Sequence, residues 1–156
     1  MEKHTIAPFY NEDSEILILG SFPSVASREE GFYYAHKRNR FWKVLSSIFD
    51  EEILDKKDFL TRHHLALFDV CASCEIKGSS DASIKEVVPN DLSEILKVSQ
   101  IKVIFLNGET ASKLYKKYMK DISILTITLP STSPANATFS LEMLIEKYKI
   151  IKEFTK

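Results

Sequence analysis

The sequence predicts an α/β protein with three layers, α/β/α, around a four-stranded and mainly parallel central sheet. Four short apolar runs carry this prediction, because they are hydrophobic throughout rather than in alternation, as strands covered on both faces are. Amphipathic helical patterns lie between these runs, which is the order expected when helices connect parallel strands. With 156 residues, of which 44% are apolar, the chain fits one domain, residues 1–156, with a sizeable core.

The four predicted strands end at turn-forming or polar residues. They are EILILG (15–20), LALFDV (65–70), KVIFLN (102–107) and ISILTI (122–127). In an open α/β sheet, ligands bind beyond the carboxyl ends of the strands. The loops after the first and last strands, GSFPS (20–24) and LPSTSPANA (129–137), are therefore expected to lie at one edge and to form a site.

The predicted helices show apolar residues at helical spacing. They are RFWKVLSSIF (40–49), NDLSEILKV (90–98), ETASKLYKKYM (109–119) and FSLEMLIEKYKIIKEF (139–154). We expect Asn90 or Asp91 and Ser140 to cap the helices that follow them, because their side-chain oxygens can accept hydrogen bonds from free backbone N–H groups. Asn39 has the same interpretation, since helical spacing begins at Arg40.

Charge gives no global sign of a polyanionic partner. The net charge is −1, but five basic residues face two acidic ones between Arg28 and Lys43. A claim of nucleic-acid binding must therefore rest on this local basic segment. No apolar run is long enough to span a bilayer, and the N-terminus lacks the apolar core of a secretory signal. These features predict a cytoplasmic protein without a membrane partner.

The segment YYAHKRNRFW (33–42) combines aromatic rings with positive charge. Phe41 and Trp42 are expected to pack into the core at the start of a helix. Tyr33 and Tyr34 precede any periodic segment, so they are candidates for a flat stacking surface.

Cys71 and Cys74 form a C-x-x-C motif after a strand, as a redox pair would, and His63 and His64 upstream make a zinc site conceivable. The preferred interpretation is a pair of reduced, partly buried structural thiols. Asp81, within GSSDASI (78–84), is expected to be a helix N-cap.

The motifs together resemble one protein family. GSFPS, YYAHKRNRFW and LPSTSPANA are similar to motifs of the hypoxanthine-DNA glycosylase (deoxyinosine glycosylase) branch of the uracil-DNA glycosylase superfamily. DVCASCEIKGSSDASI (69–84) and FLNGETA (105–111) resemble intermediate segments of the same branch. The resemblance is collinear from about residue 15 to about residue 137.

This resemblance implies a uracil-DNA glycosylase-like fold and a function in base excision repair. The expected reaction is hydrolysis of the N-glycosidic bond of a deaminated base, hypoxanthine and conceivably uracil, flipped out of double-stranded DNA. A monofunctional, monomeric enzyme without metal or cofactor is expected. The alternatives are a non-catalytic relative that binds damaged DNA and, with less support, a C-x-x-C thiol redox protein.

The resemblance assigns the catalytic role to Asn39. Other branches carry an Asp or Asn shortly after the Gly…Pro motif to handle the attacking water, whereas SVAS (24–27) stands there in this chain. The second motif lacks the histidine of efficient uracil-excising branches, because Ser131-Thr132-Ser133 occupies that region. Ser24 replaces a glycine of the branch pattern, and Lys37 replaces a proline.

The same resemblance implies the remaining site residues. The expected base pocket comprises Gly20, Ser21, Phe22, Pro23, Tyr33, Tyr34 and Asp69. Within it, Phe22, Tyr33 or Tyr34 would stack on the base, and Asp69 would either accept a hydrogen bond from a ring N–H or cap the next turn. The expected DNA contacts come from His36, Lys37, Arg38, Arg40, Ser131, Thr132, Ser133, Pro134 and Asn136.

Overall fold

A computed structural model describes residues 1–155 of the chain. In chain order its elements are β1 (Glu2–Lys3), β2 (Ile16–Gly20), α1 (Val25–Glu30), α2 (Phe41–Ile48), α3 (Lys56–Arg62), β3 (Leu65–Asp69), β4 (Cys71–Glu75), β5 (Lys85–Pro89), α4 (Ser93–Val98), β6 (Val103–Asn107), α5 (Glu109–Tyr118), β7 (Leu125–Leu129) and α6 (Leu141–Tyr148). Short 3-10 helices cover Asp81–Ser83 and Lys149–Phe154.

The central sheet has the strand order β3-β2-β6-β7, and each neighbouring pair is parallel. Every residue of β2, β3 and β6 is buried, which explains why their sequences are continuously apolar. Helices α2, α3, α5 and α6 contribute buried side chains to the same core. The predicted three-layer α/β architecture with four parallel strands is confirmed.

The last strand begins three residues later and ends two residues later than predicted. The sequence indicated residues 122–127, whereas β7 covers Leu125–Leu129. Ile122 and Ile124 produce this error, because they pack against the core from the segment that precedes the strand. At the edge of the sheet, β7 leaves Leu125 exposed, so the apolar run does not mark its limits.

Ser140 is the N-cap of α6 as predicted, whereas the N-cap residue of α4 is Leu92, one position after Asp91. The Ser140 hydroxyl accepts a hydrogen bond from the backbone N–H of Met143 at the start of α6. Before α4, Asp91 Oδ1 accepts one from the N–H of Ser93, whereas the Asn90 amide donates to backbone oxygens instead. Helices α1 and α3 were not predicted, and none of the helices within residues 1–155 is long and apolar enough to span a membrane.

A second, antiparallel sheet was also not predicted. It has the order β1-β4-β5, and only Val70 separates its strand β4 from β3 of the central sheet. The outer strands β1 and β5 are mostly exposed, so they lack the apolar pattern that marked the other strands. This sheet extends the carboxyl edge of the central sheet toward residues 77–83.

Candidate active site

The carboxyl ends of the four parallel strands bring the expected loops together. Gly20 at the end of β2 pairs with Asp69 at the end of β3, and Asn107 at the end of β6 pairs with Leu129 at the end of β7. The loops that follow Gly20 and Leu129 therefore start from the same edge of the sheet, as the sequence predicted.

Gly20 is required by its neighbours rather than by its backbone angles. A Cβ atom at this position would lie 2.5 Å from Asp69 Oδ1 and 3.2 Å from the Tyr34 hydroxyl. The first distance is far below a normal contact, so the missing side chain is what allows the Asp69 carboxyl to occupy this place.

Asp69 is held by His4, a residue that no sequence motif indicated. His4 Nε2 lies 2.8 Å from Asp69 Oδ2, and both side chains are only 4% exposed. The rings of Phe22, Tyr33 and Phe68 surround the histidine. Asp69 Oδ1 accepts no hydrogen bond within residues 1–155, and this carboxyl keeps only a small exposed area.

Asn39 lies two residues before the start of α2 and is hydrogen-bonded to its first residue. Its Oδ1 accepts a hydrogen bond of 2.9 Å from the backbone N–H of Phe41, and its own N–H donates to the His36 oxygen. The helix begins at Phe41, one residue later than predicted, so Arg40 is the N-cap residue and Asn39 lies one position before it. The side chain is half-buried and held rigidly at the edge of the site.

Arg40 has a structural role that the sequence did not indicate. Its guanidinium donates hydrogen bonds to the backbone oxygens of Ser133, Asn136 and Phe139, and its backbone N–H donates to Thr132 O. Because four of the five guanidinium N–H groups donate to backbone oxygens, Arg40 acts here as a structural residue, and its contact with DNA phosphate stays a prediction. Arg40 thereby joins the segment 33–42 to the loop 129–137.

Thr132 is wrongly predicted as a DNA contact, because it is completely buried. Its backbone N–H and its hydroxyl are hydrogen-bonded to the side-chain amide of Asn107, at 3.0 and 3.1 Å. The Tyr148 hydroxyl, from α6, donates to Pro130 O at 2.7 Å and lies 3.0 Å from Asn107 Oδ1. Asn107 therefore fixes the start of the last loop to the sheet and to the last helix.

The other predicted residues of this loop keep some exposure. Ser131, Ser133 and Asn136 are half-buried, and Pro134 is exposed. The hydroxyls of Ser131 and Ser133 accept hydrogen bonds from backbone N–H groups two residues later. Since each hydroxyl proton is still available, both side chains can donate to an anionic oxygen.

Two of the three predicted stacking rings are core residues. Tyr33 is 2% exposed, and its hydroxyl donates to Ala7 O at 2.9 Å, so the prediction that it stacks on a base is wrong. Phe22 is 7% exposed, with the Arg28 guanidinium 5.2 Å from its ring centre. In this structure Phe22 packs with Cys71 and Cys74 rather than forming an open stacking surface.

Tyr34 is the ring that remains at the site. Its φ of 55° lies in the left-handed region, and its ring stacks on Phe41 with centroids 3.9 Å apart. The Tyr34 hydroxyl is enclosed without a hydrogen-bond partner among the described residues. Burial, and secondarily the Asp69 charge, raise the pKa of this hydroxyl, so it stays protonated.

The basic side chains of Lys37 and Arg38 are exposed beside this site, and His36 is half-buried. His36 Nδ1 accepts a hydrogen bond of 3.1 Å from the backbone N–H of Arg38. These three residues are the part of the basic segment that keeps free donors next to Asn39.

Asp81 is not the N-cap that its sequence context indicated. It lies inside the 3-10 helix, and its Oδ1 accepts a hydrogen bond of 2.8 Å from the Ser21 hydroxyl of the first loop. Burial is the main cause that raises the pKa of Asp81; the Ser21 hydrogen bond lowers it, and the Asp69 charge raises it further.

The two cysteines are structural, as predicted. Cys71 and Cys74 are free thiols with no exposed surface, and burial raises the pKa of both. A redox cysteine needs access and a lowered pKa, so these thiols do not fit that role. His63 binds Glu51 and His64 binds Asp13 O, so neither histidine joins the cysteines.

Comparison with known proteins places this arrangement in a family. The family model described as the uracil DNA glycosylase superfamily matches residues 7–155. The chain belongs to the uracil DNA glycosylase superfamily. The resemblance seen in its motifs is thereby confirmed, and the matched segment contains all predicted site residues of this superfamily member.

Relatives within the superfamily agree with the branch indicated by the motifs. A hypoxanthine DNA glycosylase of Methanosarcina barkeri is 33% identical over 143 residues, which is 87% of this chain and 89% of the relative. A hypoxanthine DNA glycosylase of Methanosarcina acetivorans is 32% identical over 146 residues, 90% and 92% of the two chains.

The fold agrees as well. A solution NMR structure of a Methanosarcina acetivorans protein, which carries a provisional uracil DNA glycosylase name, superimposes with a TM-score of 0.79. The two chains are 28% identical, and the match covers 96% of this chain and 98% of the other.

The geometry adds residues of this superfamily member that sequence reasoning did not select. His4 and Tyr148 gave no signal, because a lone histidine near the N-terminus and a tyrosine in a helix are unremarkable in a sequence. Asn107 lies in the FLNGETA segment, where its position at the end of a strand was the available sign. Asp81 lies in the segment GSSDASI (78–84), where helix capping is the simpler interpretation.

Proposed function

We propose that this chain is a monofunctional DNA glycosylase that removes a deaminated base, hypoxanthine foremost, from double-stranded DNA. It hydrolyses the N-glycosidic bond of a flipped nucleotide and leaves an abasic site for base excision repair. It acts as a monomer in the cytoplasm, without a metal or cofactor. The names of the two curated relatives support the choice of hypoxanthine.

The observation that carries this proposal is the Arg40 bridge. Through its hydrogen bonds to Ser133, Asn136 and Phe139, the segment that holds Asn39 and the last loop form one continuous surface. Gly20, Asp69 and Tyr34 lie at the same edge of the sheet. A water-handling side chain, a base-reading carboxyl and a DNA-facing loop are then parts of a single site.

Asp69 is the proposed reader of the base. Hypoxanthine has an N–H group at N1, and uracil has one at N3, whereas adenine and cytosine have acceptor nitrogens at the corresponding places. A carboxylate oxygen such as Asp69 Oδ1 accepts from the former and repels the latter. The ring of Tyr34 is the proposed aromatic contact for the flipped base, and Phe41 supports it from behind.

Asn39 is the proposed residue that orients the attacking water. Its Oδ1 already accepts one hydrogen bond from Phe41, and a carbonyl oxygen has a second lone pair for a water O–H. The transition state has oxocarbenium character, so a fixed dipole beside the sugar stabilises developing positive charge. A neutral amide cannot take the proton, and its contribution is therefore positioning.

DNA binding is assigned to the exposed donors around the site. Lys37 and Arg38, with the Ser131 and Ser133 hydroxyls, would contact phosphates on either side of the flipped nucleotide. Affinity should therefore decrease as salt concentration rises.

A substrate panel tests the proposal. Duplexes that contain hypoxanthine, uracil, ethenoadenine or only normal bases are incubated with the protein in the presence of EDTA, and abasic sites are then cleaved with alkali. We expect cleavage of the hypoxanthine duplex after alkali only, with weaker or no reaction elsewhere.

Asn39→Ala should lower the rate at least about 100-fold while the protein stays folded. Lesion-specific binding without any product would support the alternative of a non-catalytic relative. Strand cleavage without alkali would contradict a monofunctional enzyme.

A further inference from the structure

The segment 77–83 is attached at one point to the first loop and at two points to helix α1, which follows that loop. The Ser21 hydroxyl donates to Asp81 Oδ1 at 2.8 Å, and the Val25 N–H donates to the Ser79 hydroxyl at 3.0 Å. Arg28 Nη2 donates to Gly78 O at 3.3 Å. The connection between β4 and β5 therefore lies against the loop that begins the active site, and it brings a carboxyl group to Ser21.

Only one oxygen of this carboxyl is used. Asp81 Oδ1 accepts from Ser21, whereas Oδ2 accepts no hydrogen bond within residues 1–155. The enclosed unpaired side-chain atoms in that part of the chain are the Tyr34 and Tyr115 hydroxyls, so Asp81 Oδ2 keeps some exposed area. A half-buried carboxyl with one anchored and one free oxygen is suited to hold a water molecule in a fixed direction.

The proposed reaction also needs an ionisable group that can take a proton from the attacking water, and the first loop does not contain one. The residues after Pro23 are Ser24, Val25, Ala26 and Ser27, none of which ionises. Asn39 is neutral, and Asp69 has one oxygen bound to His4. Asp81 reaches the same loop from a distant part of the sequence.

We propose that Asp81 is a catalytic residue of this glycosylase, whose carboxylate takes the proton of the attacking water. This inference rests on the proposed function. The water oxygen forms a bond to C1′ of the deoxyribose, and the bond from C1′ to the base nitrogen breaks with its electron pair passing to the base. Asp81 receives one water proton, which later reaches the departed base anion, so that the products are an abasic sugar and the neutral base.

The surroundings of Asp81 raise its pKa above the ordinary carboxyl value, in the direction of neutral pH. The titratable groups that act on it or are affected by it are Asp69 at the end of β3, Cys71 and Cys74 on β4, and Tyr34. Burial raises the pKa of Asp81, and the Asp69 charge adds to this rise. A general base is most effective when its pKa is close to the working pH.

Asp81→Asn separates chemistry from structure. Asparagine keeps an oxygen that accepts from Ser21, so the loop attachment survives while the base is lost. On hypoxanthine duplexes we expect kcat to fall at least about 100-fold, with KM and the melting temperature close to those of the unchanged protein. The acid side of the pH–rate profile should disappear, because no carboxylate remains to be protonated at this place.

A matched control is Asp91→Asn, which also keeps a hydrogen bond, from the Ser93 N–H, but lies outside the site. It should leave kcat and the pH profile unchanged. Asp81→Ala serves as a second variant that loses both the base and the attachment.

If Asp81→Asn excises hypoxanthine at a near-normal rate with the same pH profile, Asp81 is only a tether and the inference is wrong. If the unchanged protein excises no base from any duplex, the proposed function fails and this inference fails with it.

Discussion

His4 and Asp69 form a buried hydrogen-bonded pair across 65 positions of the sequence, with Nε2 and Oδ2 2.8 Å apart. His4 Nδ1 lies 3.3 Å from the backbone N–H of Ile6 and accepts from it. Because Nδ1 accepts, a ring proton is on Nε2, where it is donated to Asp69 Oδ2. This pair fixes one oxygen of Asp69 and leaves the other beside Gly20, in the predicted base pocket.

Removal of His4 should expose how much Asp69 depends on it. His4→Ala leaves a buried carboxylate oxygen without its donor, and we expect the free energy of unfolding to fall by about 2–3 kcal/mol. His4→Gln can place an amide N–H near the same oxygen and should recover part of the loss. Chemical denaturation of both variants measures the difference, and equal losses would show that the hydrogen bond is unimportant.

A methyl group at position 20 should collide with Asp69. Gly20→Ala puts a Cβ 2.5 Å from Asp69 Oδ1, so we expect a loss of about 1–3 kcal/mol in stability and a strong loss of base excision. The double variant Gly20→Ala with Asp69→Ala removes the collision. In a double-mutant cycle, the double variant should lose less stability than the sum of the two single losses. Simple additivity of the losses would contradict the contact.

Arg40 and the exposed basic residues should differ in their response to salt. Lys37→Ala and Arg38→Ala should each reduce the slope of log affinity against log salt by about 1, because each removes a phosphate contact. Arg40→Ala should leave this slope unchanged but lower the melting temperature, since several loop carbonyls lose their donor. Binding titrations at several salt concentrations measure these slopes. A changed slope in Arg40→Ala, with unchanged slopes in Lys37→Ala and Arg38→Ala, would contradict the prediction.

The Tyr34 hydroxyl should lower the free energy of unfolding of the protein without DNA. It is enclosed without a partner, so Tyr34→Phe should raise the free energy of unfolding by about 1 kcal/mol and keep the aromatic ring at the site. Tyr115→Phe is the matched control, because its hydroxyl is also unpaired and it lies on α5, six residues beyond the start of that helix. Both should gain stability by a similar amount, and hypoxanthine excision should persist in both. A loss of excision in Tyr34→Phe alone would give the hydroxyl itself a part in base binding.

The thiols of Cys71 and Cys74 should be unreactive in the folded protein. Burial raises the pKa of Cys71, so neither cysteine should react with a thiol reagent at pH 7, whereas both should react in denaturant. Rapid reaction of either thiol in the folded protein would reopen the redox alternative.

The central sheet could be predicted because its strands are buried on both faces, and burial on both faces leaves a continuous apolar run in the sequence. The same reasoning failed for β1 and β5, whose exposed residues give no such pattern. It also placed β7 too early, because Ile122 and Ile124 are apolar for packing outside the strand.

At the site, the sequence indicated which loops meet but not which side chains are free. Tyr33 and Tyr34 are adjacent and identical in type, yet the left-handed backbone of Tyr34 turns one ring to the site while the other enters the core. Arg40 looks like its exposed neighbours, and only the fold shows that carbonyl oxygens of a loop more than 90 residues later occupy its donors. Such long-range partners leave no local signal.

The hydrogen bonds that join Asn107 to Thr132 and Tyr148 have a consequence for the proposed binding of DNA. Because the amide ties Thr132 to the sheet and Tyr148 ties Pro130 to the last helix, the start of the loop has little conformational freedom left to lose. The ordering entropy that a flexible loop would give up on each encounter is already spent during folding. In the proposed function, the energy of the DNA contacts would then remain available for distorting the double helix and extruding the nucleotide.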